Sequence, residues 1–165
     1  ALRGGVHFAA YLERGGYHGL DINASLLDAG RRELDAAGLA DRDVHLLADD
    51  AFRARRFGTT FDVALAVSVF THLPMNAIVR CLAEVRGTLA PGAAFYATYF
   101  EAPRPAWLEP VAHAPGDIVT HYDRDPFHYA FDEIAALARF AGLTATRIGD
   151  WGHPRGQRMA AFHAV

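Results

Sequence analysis

The stretch Phe61 to Ser68, read as Phe-Asp-Val-Ala-Leu-Ala-Val-Ser, is apolar almost throughout. A strand with one wet face alternates apolar and polar residues, whereas a near-continuous apolar run is the mark of a parallel strand covered on both faces. The run therefore predicts a central strand of a parallel sheet, and parallel strands need crossover connections, usually helical. The flanking sequence supplies them. Gly/Pro punctuation and periodicity divide the 165 residues into alternating strand-like and helix-like stretches with no internal repeat and no low-complexity linker. Such a chain reads as α/β.

Val6 to Leu12 follows two glycines and reads as a helix behind a glycine-rich loop. Tyr17 to Ile22 is a short strand ending in an acid. Asn23 is a helix N-cap, Leu26, Leu27, Gly30, Leu34 and Ala37 recur at helical spacing behind it, and Gly38 stops the helix. Val44 to Leu47 is the next strand and runs into Asp49-Asp50-Ala51-Phe52. Beyond the apolar run, Pro74 opens a helix that turns Ile78, Leu82, Val85 and Leu89 inward, and Pro91-Gly92 makes the turn into a strand over Ala93 to Phe100. Between Glu101 and Tyr129 periodicity fails, and five of the eight prolines fall there. A long irregular stretch in a compact domain is often a binding loop or lid, so residues 101–130 are taken as an insert of that kind. Phe131 to Ala141 is a short amphipathic helix. Thr144 to Asp150 and Gln157 to Val165 are strands joined by six residues, too few for a helical crossover, and must run antiparallel.

Composition narrows the chemistry. At 52% hydrophobic and 21% charged, residues 1–165 suit one compact domain with a substantial core. A net charge of −3 with both signs interspersed provides no basic stripe, which disfavours a nucleic-acid partner. All sixteen basic residues are arginine. Without lysine the usual forms of the phosphate-loop NTPase, the pyridoxal enzyme and the short-chain dehydrogenase are excluded. The single cysteine, Cys81, rules out an internal disulfide framework and a cysteine zinc site, which fits a reducing, cytoplasmic setting. No apolar run approaches the roughly 20 residues that span a bilayer. The histidines are dispersed and no His-Glu-x-x-His pattern occurs, so no metal site is expected.

The order of elements resembles that of the class I S-adenosylmethionine-dependent methyltransferases, whose fold is a Rossmann-like, doubly wound, mostly parallel sheet with a C-terminal antiparallel hairpin. Gly19-Leu20-Asp21-Ile22 is similar to the acidic end of that family's second strand, and Asp50-Ala51-Phe52 to the acidic turn after its third. Phe61 through Leu73 resembles its fourth strand and following loop, and Leu89-Ala90-Pro91-Gly92-Ala93 the turn before its fifth. The family opens with a hydrophobic strand and an Asp-x-Gly-x-Gly-x loop. This sequence begins about where that loop ends, with Ala1-Leu2-Arg3-Gly4-Gly5, so Gly4 and Gly5 are expected to be its tail and a further strand is expected upstream.

The resemblance implies S-adenosylmethionine as cofactor and assigns residues to its parts. Asp21, with Ile22 beside it, would accept from both ribose hydroxyls, where a carboxylate bonds more strongly than a neutral acceptor. Asp50 would accept from the adenine amino group while the Ala51 or Phe52 amide donates to the ring, with Asp49 as the competing acid. Ala66, Val67 and Ser68 end the central strand, where open α/β sheets bind ligands, and their backbone groups would line the methionine half. Phe52, Val69 and Phe70 can pack on the adenine or belong to the core. His72, in the adjoining loop, can approach the transferring methyl or the acceptor.

A hydroxyl or protonated amine acceptor needs a base placed on it. His121 and His128 in the insert are further candidates, since imidazole titrates near neutrality, and Arg155 can clamp an acidic acceptor. The loop reads Ala66-Val67-Ser68-Val69 in place of the Asn/Asp-Pro-Pro-Tyr of enzymes that methylate exocyclic or amide nitrogens, and Cys81 lies inside a helix, away from where a cytosine-C5 enzyme keeps its nucleophile. A small-molecule, glycan or lipid-linked acceptor remains. Two rivals stand beside this reading: a non-catalytic module that keeps the fold, and a nicotinamide oxidoreductase, which also places an acid after its second strand.

Overall fold

The computed structural model describes Leu2 and residues 4–165; Ala1 and Arg3, at the expected loop tail, lie outside the described residues. The chain divides into two compact units, Ala1–Gly58 and Thr59–Val165.

The first unit holds α1 (Gly5–Tyr11), β1 (His18–Asp21), α2 (Ala24–Ala36) and β2 (His45–Ala48). The strands pair in parallel, Gly19 opposite Leu46 and Asp21 opposite Ala48. Asn23 caps α2 by accepting the Ser25 amide on Oδ1 at 3.0 Å, which satisfies one of the orphan donors of the first turn. Gly38, at φ +71°, lies just past its end. Leu2, Ala9 and Leu34 form the core, with Val6, Tyr17, Leu39, Val44 and Leu46 against it. Gly30 is what lets α2 approach: a β-carbon there would come within 2.7 Å of Leu2 Cγ. Leu26, expected in the inward stripe, is 40% exposed; the buried face follows Leu27, Gly30 and Leu34.

The second unit holds β3 (Phe61–Ala66), α3 (Met75–Arg86), β4 (Leu89–Glu101), β5 (Val111–His113), β6 (Ile118–Thr120), β7 (His128–Tyr129), α4 (Phe131–Phe140), β8 (Leu143–Asp150) and β9 (Arg158–Ala164). Its main sheet runs β3-β4-β9-β8, and β7 joins the end of β4. β3 and β7 lie parallel to β4, while β9 lies antiparallel to both β4 and β8. The C-terminal hairpin is the one its short loop dictates. Phe70, Phe95 and Phe162 meet at ring separations of 5.6 to 6.1 Å, and Ile78 and Leu82 of α3, Ile134 of α4 and Leu143 of β8 are fully buried. Cys81 is part of this packing, 4% exposed, with its thiol pKa pushed up to about 12 by burial.

Four expectations are corrected. β3 stands at the end of its sheet, not at the centre, and Val63, Leu65 and Val67 are 63%, 45% and 41% exposed; an apolar run reports what a strand tolerates, and its pairing partners are settled elsewhere in the chain. Leu89 begins β4 instead of closing α3, and Pro91-Gly92 is a bulge inside β4, not a turn before it. Phe61 pairs with Leu89 but Val63 with Ala94, so two steps on one strand match five on the other. Proline donates no ladder bond and Gly92 takes φ +82°, the usual conditions for a bulge. The insert 101–130 is also more ordered than expected, since β5 and β6 form an antiparallel hairpin and β7 extends the main sheet.

Candidate active site

β1 delivers Asp21, half-buried, to its carboxyl end. Oδ1 accepts the Asn23 amide at 2.8 Å, while Oδ2 has no hydrogen bond among the described residues. Ile22 follows, 74% exposed. β2 delivers two acids with opposite fates. The Asp49 side chain is buried: Oδ1 takes the amides of Ala51 and Arg53 at 2.9 and 3.1 Å, and Oδ2 takes Arg53 Nε and Arg56 Nη1 at 2.8 and 3.0 Å. Burial alone would raise its pKa, but the Arg53 and Ala51 amides and the Arg56 and Arg53 guanidiniums together hold it well below the usual carboxylate range. The Asp50 side chain is 75% exposed and meets the Arg53 guanidinium at 3.6 Å. The turn thus spends Asp49 on its own backbone and leaves Asp50 facing outward. It also spends the Ala51 amide, which was expected to be open to an adenine ring. The Phe52 amide has no acceptor among the described residues, and Phe52 itself sits at φ +60°.

In the second unit β3 ends at Ala66, and the exposed Val67 leads to Ser68 at φ +58°. The Ser68 amide, expected to be available to a ligand, donates to Thr98 Oγ1 at 2.8 Å. A turn over Phe70–His72 follows, which buries Phe70 and leaves His72 in the open. His72 Nδ1 lies 2.7 Å from Asp125 Oδ1, with side-chain exposures of 58% and 56%. A carboxylate only accepts, so neutral His72 carries its proton on Nδ1 and its lone pair on Nε2. The insert is tied to the same turn by the Phe127 amide on Thr71 O at 2.8 Å and by Tyr129 Oη on Leu73 O.

The other two candidate histidines lie elsewhere. His121 is half-buried and its Nδ1 accepts from Arg124 at 3.4 Å. His128 is fully buried, with Nε2 on Trp107 O at 2.8 Å and Nδ1 on Thr120 Oγ1 at 2.9 Å. With both nitrogens bonded inside the insert, His128 has none for an acceptor, and its part there is structural. Thr120 Oγ1 also meets His113 Nε2 at 2.7 Å. Gly4 is exposed at the head of α1, and Gly5 packs under Tyr17 and Leu2. Among the described residues no group of His, Cys, Asp or Glu could hold a metal ion, and no helix is long and apolar enough to cross a membrane.

Comparison with known proteins decides the family. A family model described as a methyltransferase domain matches residues 3–95. The chain belongs to this family. No curated protein matches it. Among solved structures, this methyltransferase domain is similar to the CcbJ methyltransferase of Streptomyces caelestis at TM-score 0.71 and 15% identity, covering 97% of this chain and 83% of that one. It is also similar to a provisionally assigned O-methyltransferase of Nostoc punctiforme at TM-score 0.69 and 18% identity, covering 96% of this chain but 47% of that one, about half its length. The glycopeptide N-methyltransferase MtfA, solved with S-adenosylmethionine, matches at TM-score 0.65 and 17% identity, covering 91% of this chain and 78% of that one. These likenesses establish the Rossmann-like fold of the class I methyltransferases.

Thr98 was missed from the sequence, whereas Asp125 and Gln157 stand in the irregular segment and the hairpin loop where acceptor-site candidates cluster, without a role of their own. Asp125 lies 53 positions from His72, a separation that leaves no local pattern. Gln157 had one signal, a lone amide heading the apolar strand that runs on to Phe162.

Proposed function

We propose that this methyltransferase domain binds S-adenosylmethionine and transfers its methyl group to a small-molecule, glycan or lipid-linked hydroxyl or amine, with His72 as the base. The observation that carries the proposal is the exposed His72–Asp125 pair in the turn leaving β3. In the first unit, the unoccupied Oδ2 of Asp21 suits a ribose hydroxyl, exposed Ile22 offers apolar surface beside it, and outward-facing Asp50 with the Phe52 amide suits an adenine edge. In the second, the carbonyls of Ala66 and Val67 at the strand end suit the amino-acid half. Gly4 and Gly5 retain their reading as the tail of the glycine-rich loop.

When bound, S-adenosylmethionine supplies a methyl group on a positively charged sulfonium, a good leaving group. The chain's own tasks are to align the acceptor, exclude water and hold a proton. His72 Nε2 takes the proton of the acceptor as the acceptor oxygen or nitrogen bonds to carbon. Asp125 accepts the Nδ1–H and so keeps the lone pair on Nε2. The interspersed charge and net −3 support a small acceptor over a nucleic acid.

Calorimetric titration of the intact protein with adenosylhomocysteine and with NAD tests the reading. Binding of the former alone is expected, and a preference for NAD would overturn it. Asp21→Ala removes charge-assisted bonds to two hydroxyls and should weaken adenosylhomocysteine on the order of 100-fold at unchanged thermal stability.

A further inference from the structure

The end of β3 is held by a closed ring of hydrogen bonds, buried at Thr98 and Gln157 and part-buried at Ser68, that joins three strands' ends. Thr98 of β4 is fully buried, and Gln157, just before β9, is 2% exposed. Thr98 Oγ1 donates to Gln157 Oε1 at 2.6 Å and accepts the Ser68 amide at 2.8 Å. Gln157 Nε2 donates to Ser68 Oγ at 3.0 Å, and the same hydroxyl lies 3.1 Å from Gln157 Oε1. Every polar atom of the ring has a partner, the condition under which a buried polar group is tolerated.

The sheet does not need this ring. β4 and β9 are already locked by their own ladder, with Thr98 opposite Met159 and Tyr99 opposite Arg158. A leucine or methionine at 157 would fill comparable space without the cost of burying an amide. What the ring supports, among the described residues, is Ser68 at the head of the turn. Ser68 is a non-glycine residue at φ +58°, a conformation that persists only when its surroundings impose it, and its amide has the Thr98 hydroxyl as acceptor in place of any backbone carbonyl. Strain held at the carboxyl end of a strand, where sheets of this type bind ligands, is the arrangement expected of a shaped binding turn.

We infer that Gln157 is a positioning residue that, through Ser68 and Thr98, fixes the backbone of the turn after β3 for binding the methyl donor. The inference rests on the methyltransferase reading above and deepens it, because it places a determinant of donor affinity 89 positions from the turn that it shapes. Gln157 touches the turn and not the reacting atoms. Its loss should act on donor affinity while leaving the proton chemistry at His72 in place.

Gln157→Leu and Thr98→Val in the intact protein test this by two independent readouts. Amide hydrogen exchange needs no ligand: the Ser68 amide should be protected in the parent and exchange about tenfold faster or more in either variant, while Phe95 within β4 is unchanged. Adenosylhomocysteine should bind about tenfold more weakly to both variants, and the pH dependence of kcat should not move. Gln157→Glu retains the acceptor oxygen for Thr98 and Ser68 and should restore part of both losses. Unchanged Ser68 exchange would overturn the inference at the level of the turn. Faster exchange with unchanged adenosylhomocysteine affinity would overturn its link to the donor. A parent protein that binds no adenosylhomocysteine overturns the functional reading itself, and the exchange experiment still decides whether the ring holds the turn.

Discussion

Two histidine sites within the second unit show how one side chain serves opposite ends. In the insert, His128 Nε2 faces a carbonyl and must donate, so neutral His128 accepts on Nδ1 from the Thr120 hydroxyl, and Thr120 in turn accepts from His113 Nε2. The Trp107 carbonyl fixes the tautomer of His128, the Thr120 hydroxyl also lies 3.4 Å from the Val111 carbonyl, and His113, Thr120 and His128 are all buried. At the turn after β3, His72 has a carboxylate on one nitrogen and solvent around the rest of the ring. The first arrangement fastens a loop. The second leaves a nitrogen to work with. Position in a motif distinguishes neither; the partner and the burial do.

The comparison is tested hardest at His72. His72→Gln keeps polarity but removes the titrating nitrogen, and the loss of a general base should lower kcat by about 100- to 10,000-fold. Steady-state rates with saturating donor measure it. A fall of less than threefold would transfer the catalytic role elsewhere.

The buried pair should reveal itself in stability. Burial above all, with the nearby charges of His128 and Arg158, lowers the His113 pKa from its ordinary 6.5 to about 4. The folded protein therefore binds fewer protons at this site than the unfolded chain, and the contribution is present above pH 6.5 and lost as pH falls toward 4. At about 1.4 kcal/mol per pH unit the loss across that window is about 3 kcal/mol. Urea unfolding at pH 7 and pH 4 measures it, and His113→Gln, which can still donate to Thr120, should flatten the difference. An equal pH dependence in the variant would show that His113 is not the group responsible.

Much of this organisation was legible because it is local. The N-cap at Asn23, the stop at Gly38, the helix opened by Pro74 and the antiparallel hairpin each follow from a few adjacent residues. What escaped depends on tertiary pairing. β5 and β6 are three residues each, below the length at which alternation can be read. Asp49 and Asp50 are identical as letters, and the amides of Ala51 and Arg53 decide between them only once the turn has closed. The apolar run at 61–68 announced a strand but not its neighbours. His128 looked like a base because histidine does, and the loss of that role comes from a carbonyl 21 positions away.

The smallest expected effect discriminates most finely, because it changes one atom of the exposed site. Asp125→Asn retains shape and a hydrogen-bonding oxygen but loses the negative charge. If Asp125 only anchors the insert to the turn, the asparagine oxygen still accepts from Nδ1, and activity should persist while the Phe127 to Thr71 bond keeps the loop in place. If it supports His72 in taking a proton, kcat should fall about tenfold, as loss of one charge-assisted interaction predicts. Stability at pH 7 should hardly change, since an exposed pair contributes little. An unchanged kcat would assign Asp125 to loop placement, and would leave burial, not charge pairing, as the main physical difference between the two histidine sites.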